Sequence, residues 1–115
     1  MSAGALPDDI RELATGYRRL LEEAFGPRLL SVRVFGSRAR GDARPDSDLD
    51  VVVVIRGLTS ADWNRAVNLA FDAWQGSSPR GPLISPLVWS EADEADRLEA
   101  ERRIALDIQR EGIPV

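Results

Sequence analysis

Apolar positions recur at helical spacing early in the chain. Ile10, Leu13, Tyr17, Leu20, Leu21 and Ala24 fall on one side of a 3.6-residue repeat. Pro7, Asp8 and Asp9 precede them. Proline and acidic side chains both suit a first helical turn, because the missing N–H is no loss there and the helix dipole favours negative charge. Gly26-Pro27 stops the helix. The pattern then changes: Leu29–Phe35 reads as a strand, and Val51–Ile55 is an unbroken β-branched run, a second strand. Beyond the turn at Arg56-Gly57-Leu58, Thr59 or Ser60 caps the next helix, with Asp62 reaching back. Trp63, Ala66, Val67, Ala70, Phe71 and Trp74 form an i, i+3, i+4 stripe. The stripe predicts the core-facing side of that helix, a partner surface being the lesser reading. Gly76–Pro82 is a loop by composition. Leu83–Trp89 is the third strand, and Pro86 places it at an edge or bulge. Ser90 caps a last helix with an acidic first turn (Glu91, Asp93, Glu94) and sparse apolar positions (Leu98, Ile104, Ala105, Ile108), expected to be partly exposed or broken around Glu99–Arg103 and ended by Gly112 and Pro114. The order α-β-β-α-β-α predicts an α/β (α+β) sandwich with a mixed, mainly three-stranded sheet.

Composition narrows the chemistry. At 115 residues the chain is expected to form one domain, spanning 1–115, around a modest core. Net charge is −4, so there is no overall basic footprint for long nucleic acid. All 15 basic residues are arginine. Cysteine and histidine are both absent, which excludes disulfides, thiolate catalysis, Cys/His zinc sites and a histidine general base. No signal pattern or membrane-length apolar run is present, and a cytoplasmic protein is the expectation.

The polar stretch between the first two strands carries the candidate chemistry. Asp48 and Asp50 lead straight into Val51–Ile55, although aspartate is disfavoured in strands. Residues i and i+2 of a strand point to one face, about 6–7 Å apart. Two carboxylates at that spacing repel by roughly 2–3 kcal/mol at an effective dielectric near 20. A cation should offset this: either Mg²⁺, which takes one or two carboxylates together with substrate phosphates, or arginines nearby (Arg33, Arg38, Arg40, Arg44). At the end of the preceding strand, Gly36-Ser37 turns backbone N–H groups and a hydroxyl toward one spot, an anion cradle in which glycine permits close backbone approach. A phosphate cradle opposite a carboxylate pair is what a nucleoside triphosphate with its Mg²⁺ requires.

Gly36-Ser37, ten residues, then Asp48-Leu49-Asp50 resembles the signature of the minimal nucleotidyltransferases of the DNA polymerase β-like superfamily, antitoxins among them. The frame around it, including Arg40-Gly41, Ser47 and the later Glu111-Gly112-Ile113, is similar to the family as well. The resemblance implies the small nucleotidyltransferase fold. It implies transfer of a nucleoside monophosphate, AMP from Mg-ATP (Mg²⁺ or Mn²⁺), to an acceptor hydroxyl. Asp48 and Asp50 would be the catalytic metal ligands, and Gly36 and Ser37, with Arg38 and Arg40, the nucleotide contacts. It also implies a helical partner protein of the HEPN type as acceptor. Members of this family use a third carboxylate on the strand after the crossover helix, yet Leu83–Trp89 contains none, and Ser85 or a near neighbour would sit there. The alternative is therefore a catalytically impaired nucleotide-binding or partner-binding module, antitoxin-like. The position of Glu91 and Asp93 bears on the two: either of them beside the aspartate pair strengthens the enzyme reading, and Ser85 or apolar side chains alone facing the pair weaken it.

Overall fold

A computed structural model describes residues 6–36, 47–77, 81–100 and 113–114. The first helix, α1 (Asp8–Phe25), ends at Gly26, whose φ of 55° only glycine adopts readily. A short 3₁₀ turn (Gly26–Arg28) leads into β1 (Leu29–Phe35), then β2 (Leu49–Ile55), α2 (Ser60–Gln75), β3 (Ile84–Trp89), α3 (Glu91–Ala100) and β4 (Ile113–Pro114). The strands form one sheet in the order β3-β2-β1-β4. β1 pairs antiparallel with β2 and with β4, whereas β2 pairs parallel with β3. The parallel pair requires a crossover, and α2 supplies it.

The central strand explains its own composition. Leu49, Val51, Val53 and Ile55 join Val32, Val34, Ile84 and Val88 under α1 and α2, where Ile10, Leu13, Tyr17, Leu21 and Phe25 meet Ala66, Leu69 and Ala70. Val52 and Val54 point to the opposite face and are buried with Trp89 beside Phe35. A strand covered on both faces reads as a continuous apolar run rather than an alternating one. Pro86 sits in β3, at the sheet edge among the described strands, as its missing donor demands.

Both predicted caps form. Thr59 Oγ1 accepts from Asp62 N at 3.1 Å, and the Asp62 carboxylate accepts from Thr59 N at 3.0 Å. Ser90 and Asp93 repeat the arrangement at the start of α3, both bonds at 3.0 Å. Arg28 donates to both Asp62 oxygens and to the carbonyls of Arg56 and Gly57, tying the entry of β1 to the start of α2. This cation and Thr59 N–H hold the Asp62 carboxyl down, from 3.8 to about 2.

Two expectations change. The sheet has a fourth strand: Ile113–Pro114 pairs with Val34 and Arg33, where the sequence reads as a helix end. Two residues carry no periodicity, and proline is tolerated only because this is an outer strand. The aromatic stripe of α2 also sits differently. Ala66, Leu69 and Ala70 form its buried side, while Trp63 and Phe71 are 47% and 48% exposed. On the alanine side of α2, buried Tyr17 donates its hydroxyl to Ala66 O at 2.7 Å, and the large rings lie at the flank. Residues 101–112, including the expected break after Ala100, lie outside the described residues.

Candidate active site

Asp50 is the second residue of β2, and Asp48 lies just before the strand rather than on it. Leu49 is fully buried and its N–H donates to Leu83 O at 2.9 Å, which fixes the strand's entry. Alternation then turns Asp50 to the face of Val52 and Val54, away from the main core. Asp48 is exposed and Asp50 partly buried.

Gly36, the residue after β1, comes against Asp50. Phe35 is the register partner of Asp50, and Gly36 follows it with φ of 73°. A Cβ at Gly36 would lie 2.6 Å from Asp50 Oδ2. Glycine is therefore required twice, by the left-handed backbone and by the carboxylate that occupies the space a side chain would fill. Ser37, Arg38 and Arg40 lie outside the described residues, as does Arg44. Arg33 is two positions back on β1, opposite Val52 and on the Asp50 face.

On the other side of Asp50 stands Ser85, its register partner on β3. Ser85 is exposed. Glu91 and Asp93 are elsewhere. Glu91 accepts from Gly57 N at 3.0 Å and faces Arg56 at 3.8 Å, at the far end of β2, about 17 Å along the strand from Asp50. Asp93 is engaged in capping α3. Among the described residues no three acidic side chains gather into a metal cluster.

The nucleotidyltransferase domain model matches residues 15–108, most of the chain and the whole of this site. The chain belongs to the nucleotidyltransferase domain family. It is 41% identical over 53 residues to the protein adenylyltransferase MntA of Thermococcus cleftensis, a match covering 46% of the chain and 52% of that protein. The chain thus spans about half the length of that curated relative. A crystal structure of a Sulfolobus solfataricus protein assigned as a nucleotidyltransferase superposes with a TM-score of 0.57 at 25% identity, over 92% of this chain and 80% of that one.

Within this nucleotidyltransferase domain the strands bring together Gly36, Asp50 and Ser85, and Asp48 lies exposed just before β2. The role of Gly36 in making room for Asp50 is a feature the sequence reading missed. A glycine at a strand end signals a turn, but its contact with Asp50 depends on the antiparallel register. No helix among the described residues is long and apolar enough to cross a membrane.

Proposed function

We infer that this nucleotidyltransferase domain transfers AMP from Mg-ATP to a hydroxyl on a partner protein, of the helical HEPN type, in a toxin–antitoxin pair. The observation that carries this reading is the Gly36–Asp50 contact. It sets the Gly36 turn, the expected phosphate cradle, directly against one of the two carboxylates. The donor set suits a hard divalent ion, since Mg²⁺ takes one or two carboxylates and completes its shell with phosphate and water oxygens. Asp48 and Asp50 would hold it, and the ion when bound would neutralise charge on the transferring phosphoryl group. Gly36 keeps the backbone low enough for the phosphates to approach, and Ser37 with Arg38 and Arg40 would hold them. The name of the Thermococcus relative, a protein adenylyltransferase, supports a protein acceptor.

A second reading has its own observation. Asp50 is flanked on β3 by Ser85, and Glu91 and Asp93 lie at the other end of the sheet. Without a strand carboxylate the acceptor loses general-base help worth about 10²–10⁴-fold, which favours a binding module. Phosphoryl transfer rests mainly on positioning and charge stabilisation, so slow transfer survives that loss.

Incubation with α-labelled ATP and Mg²⁺, alone and with the protein encoded beside it, tests the two. Label on the partner, reduced roughly 10²-fold or more by Asp48→Asn, is the expected result. An unlabelled partner in a stable complex would instead establish the binding module.

A further inference from the structure

Ser85 stands where a base would be useful, but its chemistry is that of an acceptor. It is the direct Cα partner of Asp50 in the parallel β2–β3 pairing. Adjacent strands lie about 4.8 Å apart, and paired residues project from the same face. That face is independently marked, because Trp89, four residues on from Ser85, packs with Val52 and Val54, two and four residues on from Asp50. Ser85 is solvent-exposed, and its hydroxyl has no hydrogen-bond partner among the described residues. Its neighbours on the same side of the strand, Leu83 and Leu87, are 52% and 39% exposed and carry no protic group. On β3, the hydroxyl nearest the carboxylate pair therefore belongs to the chain itself.

We propose that Ser85 is an acceptor for the domain's own transfer reaction, so that the protein adenylylates itself on this serine. The inference rests on the nucleotidyltransferase reading above and names one acceptor for that site. In the step, Ser85 Oγ forms a bond to the α-phosphorus of ATP. The bond from that phosphorus to the oxygen bridging to the β-phosphate breaks, and pyrophosphate leaves. The hydroxyl proton passes to the Asp50 carboxylate and on to water. The product is a serine–AMP phosphodiester, and one adduct per chain is the limit because only one hydroxyl occupies this register position. Tethering the acceptor on the neighbouring strand substitutes proximity for base strength, since holding reactants in place removes much of the entropic cost of their encounter.

The full chain, free of partner, is incubated with α-labelled ATP and Mg²⁺, followed by intact-mass measurement and peptide mapping. A thermal shift with Mg-ATP is recorded in parallel. Expected are a single AMP adduct mapped to Ser85, its loss in a Ser85→Ala variant that melts like the wild type, and its retention in Ser85→Thr. Label on Ser37, Ser47 or any other residue overturns the inference, as does undiminished label in folded Ser85→Ala. An unlabelled chain that still gains stability from Mg-ATP overturns self-modification while leaving transfer to a partner standing. An unlabelled chain with no thermal shift overturns both.

Discussion

Gly36 and Asp50 compete for the same space, and the competition is decided by one missing carbon. Gly36→Ala places a Cβ 2.6 Å from Asp50 Oδ2 on a backbone with φ of 73°. The left-handed conformation costs a non-glycine residue roughly 1–2 kcal/mol, so the variant should fold with a modestly lowered melting temperature. The Asp50 carboxylate must move, and with it the proposed phosphate site. Titration calorimetry with a non-hydrolysable ATP analogue should then show affinity lost in a folded protein; unchanged affinity would mean that Gly36 is a turn residue only. The sequence made Asp48 and Asp50 conspicuous because aspartates rarely enter a valine run. It could not show that Gly36 makes room for Asp50, because that contact exists only in the folded register.

At the scale of elements, the best-read features were those with local causes. Leu29–Phe35 forms over the expected residues, and the Thr59–Asp62 and Ser90–Asp93 caps are side-chain to backbone bonds within four residues. The features that escaped have distant causes. Which side of α2 is buried, with Trp63 and Phe71 left on the flank, is settled by its packing on α1, where Tyr17 bonds Ala66 O, and β4 forms along the edge that β1 offers. The cap of α2 also has a pH signature. Asp62 is held at about 2, below its ordinary 3.8, first by Arg28 and then by Thr59 N–H. A carboxyl with a lowered folded-state pKa contributes stability fully above 3.8 and loses it as pH falls through about 2. The melting temperatures of wild type and Asp62→Asn should therefore differ most near neutrality and converge toward pH 2. A constant gap across that range would assign the effect of the substitution to packing rather than to charge.

Across the whole molecule, α1 and α2 share one face of the sheet, while Asp50 and Ser85 share the other. The main core and the candidate site thus lie on opposite faces of the sheet. Tyr17→Phe removes the buried bond to Ala66 O and should lower stability by about 0.5–1.5 kcal/mol in denaturant unfolding, with Mg-ATP affinity unchanged; a coupled loss of affinity would mean the two faces communicate. The parallel β2–β3 pairing has a further consequence, in time rather than space. Asp50 and Ser85 become neighbours only after the entire crossover through α2 has been made and docked, a non-local contact whose loop-closure entropy comes before its reward. On the ribosome, where chains emerge from the N-terminus, the aspartates and their glycine leave the exit tunnel well before the strand that completes their surroundings. Chemistry that needs Ser85 beside Asp50 is therefore unavailable to a nascent chain until β3 has been translated and has found its place along β2.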